Sequence, residues 1–213
     1  MIQIVPAHTK KLMHAFAVFP FSLYRNHPFW VPPIISSELA SWDKTKNPVF
    51  DHAEADFFLA YKEEQIVGRV ACIVNHTEVN QQGIAKMRFG WFDFIDDYQV
   101  SSALLNHVAE YGRRRGLTFM EGPVGFSNLD KVGVMTSGFD HIGTMITWYN
   151  HPYYADHYRW FGMTKEKGYL ESKFWKNFLT KMNNHGLQKL LNGNNFNSHL
   201  SISFLKENDE FMR

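Results

Sequence analysis

The stretch Met87–Met120 constrains the fold more than any other part of the chain. It opens with an aromatic run whose flat side chains pack well on a pleated strand, Met87–Ile95. Apolar residues then recur at i, i+4, i+8 and i+11, the period of an amphipathic helix, at Val100, Leu104, Val108 and Tyr111. Gly116 ends this helix, and Leu117–Met120 is typical of a second buried strand. The order predicts a βαβ-like unit, and hence an α/β layer fold with a partly parallel sheet.

Charged residues mark both ends of the predicted helix. Asp96, followed by Gln99 three residues later, has the form of a capping box, and negative charge suits a helix N-terminus. Three arginines, Arg113–Arg115, lie at the opposite end, where the helix dipole favours cations. A basic run also occurs in nucleic-acid sites, but the dipole and solvation explain this one, and we expect no nucleic-acid partner.

The residues before this unit predict strands and one loop. Ile2–Val5 is a short strand, and Thr9 caps a helix over Lys10–Phe19. The next stretch, FPFSLYRNHPFWVPPII, holds four prolines that we expect to exclude a regular helix, so we predict an aromatic loop. Further elements are a short helix at Ser36–Trp42 and an antiparallel hairpin formed by Ala55–Tyr61 and Gln65–Asn75.

The residues after the unit divide into a domain and a tail. The glycine-rich stretch 121–143 predicts a loop with at most a short helix. A strand at Thr144–Tyr149, a helix at Tyr153–Phe161 between Pro152 and Gly162, and a strand at Thr164–Ser172 complete a predicted domain of residues 1–172. Residues 173–213 are predicted to be a C-terminal extension outside the core, with a helix at Phe174–Leu191, a polar linker at Asn192–His199 and a strand-like Ser201–Leu205.

Composition excludes several classes of protein. The net charge is +1, from 22 Lys and Arg against 21 Asp and Glu, which gives no global attraction to nucleic acid or an anionic membrane. The single cysteine, Cys72, excludes an intrachain disulfide and lies in a strand-like run where a buried structural thiol is expected. No segment has the length and apolarity of a membrane span, and the N-terminus does not resemble a signal peptide. We therefore expect a cytoplasmic protein.

Three segments resemble the GNAT acyltransferase superfamily. The hairpin LAYKEEQIVGRVACIV is similar to the superfamily's hairpin with its "v-G" pair, and Met87–Gly116 is similar to its fourth strand and pyrophosphate-binding helix. Asn150–Met163, NHPYYADHYRWFGM, is similar to the pattern N-x-x-A-x-x-L-Y-x-x-x-G-F. HPFWVPP and KNPVFDHAEADFFLA resemble a bacterial branch whose members often carry further sequence after this domain. The resemblance implies a GNAT-like mixed sheet, partly parallel and flanked by helices on both faces.

The resemblance implies acetyl-CoA or another acyl-CoA as co-substrate, held in a V between the fourth and fifth strands, and no metal. The pantetheine arm would pair with one strand, at Trp91, Phe92, Asp93 and Phe94. The pyrophosphate would face the start of the next helix, at Tyr98, Gln99, Val100, Ser101 and Ser102, and Asn150 is a further candidate. The loop DDYQVSSA departs from the superfamily because it has no glycine and puts two carboxylates where a diphosphate docks. Each like-charge pair costs about 2 to 3 kcal/mol at ~6 Å.

Tyr158 is the residue that the pattern makes the general acid, which protonates the CoA thiolate after an amine attacks the thioester. A core aromatic residue of an amphipathic helix is the alternative. His141, His151 and His157 flank the expected cleft and are candidates to deprotonate an ammonium substrate.

Two other clusters have ordinary structural explanations. His52, Glu54 and Asp56 alternate along a strand, a spacing used by iron or zinc pairs, but a solvated strand entrance explains it as well. Ser127, Asn128 and Asp130 are candidates for a substrate pocket or for a turn that bonds its own backbone.

The sequence leaves two hypotheses. In the first, the chain is an N-acyltransferase that passes an acyl group from CoA to a small-molecule or peptide amine. In the second, it is a GNAT-shaped binding or scaffolding lobe that does not turn over. An open V also exposes a sheet edge, which predicts a homodimer surface.

Overall fold

The structure, a computed structural model, describes residues 1–127, 130–143, 147–171 and 200–206. The strands are β1 (Gln3–Pro6), β2 (Ala53–Lys62), β3 (Gln65–Asn75), β4 (Lys86–Phe94), β5 (Phe119–Gly122), β6 (Val134–Ser137), β7 (Thr164–Glu171) and β8 (Leu200–Lys206). The helices are α1 (Lys10–Leu23), α2 (Ile35–Ser41), α3 (Tyr98–Arg113) and α4 (Tyr154–Phe161). Two single turns, Pro48–Asp51 and Thr77–Gln81, precede β2 and β4.

The described strands form one mixed sheet, which confirms the predicted fold class. Its order is β1-β2-β3-β4-β5-β8-β6, with β7 on the other edge of β8. The hairpin of β2 and β3 is antiparallel as predicted, and its turn places Glu63 and Glu64 at φ 49° and 67°, the left-handed conformations of a tight hairpin turn. β4 and β5 are parallel and joined by α3, so the predicted βαβ unit is confirmed.

Two apolar cores lie on opposite faces of the sheet. On one face α3 and α4 cover the side chains of Phe89, Phe92 and Phe94. On the other face α1 and α2 cover those of Phe57 and Trp91. Cys72 is fully buried in β3, as expected for a structural thiol, and burial raises its pKa.

Pro20 lies inside α1, so the prediction that the proline-rich stretch excludes helix is wrong at its start. A proline in a helix leaves the carbonyl four residues earlier without its N–H donor. Here that carbonyl, of Phe16, accepts a hydrogen bond of 2.7 Å from Nη1 of the buried Arg69 on β3. The neighbouring strand therefore supplies the donor that the proline removes.

The structure also differs from prediction after β5. Val134–Ser137 is a strand within the glycine-rich stretch, where a loop was predicted. Thr147–Tyr149 is not a strand, and residues 144–146 lie outside the described ranges. Residues 200–206 form β8, which pairs with β5, β6 and β7, so the strand-like tail is part of the sheet. The predicted helix and linker at 174–199 lie outside the described residues, and the division at residue 172 stays a prediction.

Candidate functional site

A bulge in β4 lies at the candidate site and directs neighbouring side chains to opposite faces of the sheet. Ala71 on β3 pairs with Gly90, whereas Arg69 pairs with Asp93, so β4 carries one extra residue at this point. The bulge holds Trp91 at φ 44°, a strained conformation for a residue with a side chain. Trp91 packs in the core beneath α1, and Phe92 packs in the core beneath α3.

β4 and β5 part next to this bulge. Their parallel pairing runs over Lys86–Arg88 and ends with a 2.8 Å bond from the Val124 amide to the Phe89 carbonyl. Gly90 permits this approach, because a Cβ there would lie 2.3 Å from the Val124 carbonyl oxygen. Beyond Gly90, β4 has no partner on this edge among the described strands. The opening lies where the resemblance implies the V.

Helix α4 fills the opening. The Tyr153 hydroxyl donates to the Phe94 carbonyl at 2.6 Å, and the Tyr154 hydroxyl accepts from the Phe94 amide at 3.2 Å. The Tyr154 ring stacks on Phe94 with a centroid distance of 4.3 Å. The backbone groups of Phe94, predicted to pair with a pantetheine arm, therefore already have partners in the protein. In this conformation the opening does not fit the arm.

Tyr158, also on α4, is buried more deeply than Tyr153. It is 1% exposed, and its hydroxyl has no hydrogen-bond partner among the described residues. It borders a cavity of about 10 Å³, room for roughly one water molecule. Burial, and then the charge of Asp93, raise the pKa of Tyr158, so it holds its proton at neutral pH. The acid role of Tyr158 stays a prediction.

The backbone amides at the start of α3 also have hydrogen-bond partners within the protein. Asp97, and not the predicted Asp96, is the cap: its carboxylate accepts from the Gln99 amide at 2.9 Å, and its carbonyl accepts from the amides of Val100 and Ser101. Lys62 bonds the same carboxylate at 2.8 Å and, with the capped amides, lowers the pKa of Asp97. These partners occupy amides that a pyrophosphate would need.

The Asp96 carboxylate lies against His157, not on the helix backbone. His157 bonds Asp96 through Nε2 at 3.0 Å and Ser101 through Nδ1 at 2.7 Å. The three residues resemble a Ser-His-Asp arrangement, but Ser101 is fully buried beneath α4, where no substrate reaches its hydroxyl. The set ties α3 to α4. Tyr98 and Ser102 lie on the same turn, where Tyr98 bonds the Trp160 carbonyl and Ser102 accepts from Asn106.

The remaining predicted residues are dispersed. Asn150 is buried and bonds the Met135 backbone in both directions, as a neighbouring strand would. His151 packs at a tilt against Tyr24 and stacks on Tyr153, and His141 bonds Asp140, whereas His157 bonds Asp96 and Ser101.

The other two clusters have protein partners. Asp56 accepts from the Tyr111 hydroxyl at 2.8 Å, and Glu54 pairs with Arg115. Within the described residues, no group of three His, Cys, Asp or Glu side chains has the geometry of a metal site. The Asp130 carboxylate accepts from the Ser127 amide, as in a turn, and Asn128 lies outside the described residues.

A large groove lies on the α1 face of the sheet, a feature that sequence reasoning missed. It consists of two cavities of about 560 and 410 Å³, within the ~300 to 1,000 Å³ range of small-molecule sites. The cavities share Glu38, Trp91, Lys131 and Trp148. Aromatic rings and the proline-containing segment 29–34 form much of the larger one.

A buried polar network forms the floor of the larger cavity. Asp93 accepts hydrogen bonds from Arg69 Nε at 2.7 Å and from the hydroxyls of Tyr24 at 2.8 Å and Tyr154 at 3.3 Å, and Arg69 Nη2 makes an ion-pair contact of 2.7 Å with the same carboxylate. Burial and the Asp93 charge raise the pKa of Tyr24 and Tyr154. The signal for this network was Arg69, the one charged residue within an apolar strand run, VGRVACIV.

Solved structures identify the fold. The chain matches a tandem GNAT protein from the clavulanic acid biosynthesis pathway at TM-score 0.54 and 13% identity, over 79% of this chain and 46% of that one. It matches ribosomal-protein-alanine N-acetyltransferase from Brucella melitensis at 0.52 and 11%, over 97% and 98%. It matches yncA from Salmonella typhimurium, solved with its cofactor acetyl-CoA, at 0.52 and 9%, over 96% and 92%. The chain has a GNAT-superfamily fold.

Two curated proteins are related in sequence. Protein YghO of Escherichia coli K12 is 31% identical over 156 residues, which cover 73% of this chain and 40% of that protein. The bacterial ceramide synthase of Caulobacter vibrioides is 28% identical over 173 residues, which cover 81% and 44%. The chain therefore spans less than half the length of these relatives. No protein-family model matches it.

None of the helices in the described ranges combines the length and the apolar character that crossing a bilayer requires.

Proposed function

We propose that the chain takes part in N-acyl transfer and that its own share is to bind the amine that receives the acyl group. The observation that carries this proposal is the contrast between the two sides of β4. On the α1 side the described residues form an aromatic groove of ligand size, whereas on the α4 side the opening between β4 and β5 is filled by Tyr153 and Tyr154.

Three further points support an acyl-acceptor role. The fold is that of acetyltransferases, although at identities that carry fold information alone. One curated relative is named a ceramide synthase, and a ceramide is the amide of a long-chain amine. The matched relatives are more than twice as long as the aligned segments, which leaves room in those proteins for a second lobe that holds the acyl donor.

Donor binding by this chain would require a rearrangement. Tyr153 and Tyr154 must leave the Phe94 backbone, at about 1 kcal/mol of net free energy for each bond. The two carboxylates at the start of α3 would still oppose the diphosphate. The costs add, so we expect weak or absent acyl-CoA binding.

Calorimetric titration with acetyl-CoA and with a long-chain acyl-CoA tests this division of roles. The wild type is expected to give no saturable heat at acyl-CoA concentrations up to about 1 mM. Any binding would then be weaker than about 4 kcal/mol, the binding free energy that corresponds to a dissociation constant of about 1 mM. Tyr153→Phe frees the Phe94 carbonyl but leaves Tyr154 and Asp97 in place, so it should not restore tight binding. Tyr169→Phe, on the exposed surface of β7, is the matched control.

A second candidate is that this chain performs the whole reaction, with Tyr158 as the acid. The observation in its favour is that the small cavity beside Tyr158 and the large groove share Trp91, Asp93, Trp148 and Tyr149, so donor and acceptor would meet at Asp93. In this reaction the amine attacks the thioester carbon and the carbon–sulfur bond breaks. The thiolate takes the Tyr158 proton, and the proton that the amine nitrogen loses restores the Tyr158 hydroxyl. Saturable acyl-CoA binding, with thiol release that Tyr158→Phe abolishes, would establish it in place of the first proposal.

A further inference from the structure

We propose that the groove binds an amphiphilic amine, with the ammonium group at the Glu38 carboxylate and the apolar chain along segment 29–34. This inference rests on the proposed function, because that amine would be the acyl acceptor. It adds the chemical class of the ligand and the residue that selects it.

Glu38 holds the position that an ammonium anchor requires. It lies on α2 where the two cavities adjoin, and it is half-buried. One carboxylate oxygen accepts the Trp91 indole N–H at 2.8 Å, which fixes the side chain toward the groove. Among the described residues, Glu38 forms no ion pair, so its negative charge is not neutralised by the fold. A partly buried carboxylate without a cation favours a cationic ligand.

The neighbouring rings suit a cation as well. Trp91 and Trp148 border both cavities, and their ring centroids lie 5.9 Å apart. Indole faces attract ammonium groups by about 0.5 to 2 kcal/mol, more where water is excluded. The bulge that holds Trp91 at φ 44° delivers its N–H to Glu38, so the strain at that residue serves the position of the carboxylate.

The other charges on the groove wall do not replace this anchor. Arg69 and Asp93 neutralise one another on the floor. Asp130 borders the smaller cavity alone, where its carboxylate accepts from the Ser127 amide. Lys131 borders both cavities, but it is not paired with Glu38. An anionic ligand would need Lys131 to dominate, whereas an amine needs Glu38, so matched ligands of opposite charge distinguish the two.

The larger cavity accounts for the apolar part of the ligand. Phe29, Trp30, Val31, Pro32, Pro33 and Ile34 form one of its walls. Val31 and Ile34 are 61% and 70% exposed, so an apolar path leads from solvent into the groove. The prolines restrict the backbone of this wall, which lowers the entropy cost of binding.

Binding of decylamine, decanol and decanoate to the full chain tests the inference without CoA. Calorimetry and tryptophan fluorescence are both suitable, because Trp30, Trp91 and Trp148 line the groove. We expect decylamine to bind saturably and decanoate to bind at least 10-fold more weakly. Glu38→Gln keeps an acceptor for the Trp91 N–H, and should weaken decylamine about 10-fold while leaving decanol unchanged. Glu64→Gln, in the β2–β3 turn, is the matched control and should change none of the affinities.

Each opposite result overturns the inference. Decanoate that binds as tightly as decylamine would assign the site to Lys131. Decylamine binding that Glu38→Gln leaves unchanged, or no decylamine binding, would remove the anchor. The proposed function fails separately, because saturable binding of acyl-CoA would refute its division of roles whether or not the amine binds at Glu38.

Discussion

Replacing Arg69 by methionine tests how the groove is held together. The guanidinium makes a hydrogen bond and an ion-pair contact with Asp93, and it donates to the Phe16 carbonyl that Pro20 leaves without a donor. Removing one partner of a buried ion pair costs about 3 to 5 kcal/mol, because the other charge is left uncompensated. The orphaned carbonyl adds about 1 to 3 kcal/mol. Methionine refills part of the volume of the arginine side chain. We therefore expect the free energy of unfolding to fall by about 4 kcal/mol.

Urea unfolding followed by far-UV circular dichroism measures this loss as a lower midpoint at an unchanged slope. Arg69→Lys keeps the charge but not the fork, and should lose about half as much. Arg114→Met is the control, since its pair with Glu110 on α3 is exposed and contributes less than about 0.5 kcal/mol. If the free energy of unfolding of Arg69→Met lies within about 1 kcal/mol of the wild-type value, the Arg69 network does not hold α1 to the sheet.

Two further predictions concern α3 and the parting of β4 from β5. Asp97→Ala removes the helix cap and should cost about 1 kcal/mol by urea unfolding at pH 7. The folded-state pKa of Asp97 lies below its ordinary value, so its contribution is present above that value and disappears as the pH falls through the folded-state pKa. The difference in free energy of unfolding between the variant and the wild type should therefore shrink in acid. A difference that does not change with pH would contradict a charged cap. Gly90→Ala places a Cβ 2.3 Å from the Val124 carbonyl and should cost about 1 to 3 kcal/mol in the same assay, whereas a neutral result would mean that the two segments separate freely.

Local patterns in the sequence were sufficient for the hairpin and for the βαβ unit. The turn at Lys62–Glu64 and the apolar period of α3 are signals within single segments, and both elements formed as predicted. The ends of α4 were likewise marked by Pro152 and by Gly162, which adopts φ 98°.

Elements that depend on distant residues were not predictable in this way. Pro20 stays helical because Arg69, on a neighbouring strand, bonds the freed carbonyl. Strands β6 and β8 form by pairing with each other across a long separation in sequence. The capping position shifted by one residue because His157, on α4, binds Asp96 and leaves Asp97 to cap the helix.

The position of the candidate site was predictable, but the side chains that fill it were not. The strand Trp91–Phe94 and the start of α3 were singled out, and they do flank the opening between β4 and β5. No local pattern indicates that Tyr153 and Tyr154 bond Phe94, because that contact depends on where α4 packs against the sheet. The groove was missed because Glu38 and Trp91 are far apart in the chain and meet only through the bulge of β4. The cytoplasmic location and a homodimer stay predictions.

Parallel titration of the chain with decylamine and with a long-chain acyl-CoA distinguishes binding of the amine from binding of the acyl donor. We expect saturable binding of the amine with no acyl-CoA present, and no saturable binding of the acyl-CoA. Tight binding of acyl-CoA together with no binding of the amine would contradict this expectation, because the filled opening and the open groove would then have been assigned the wrong way round.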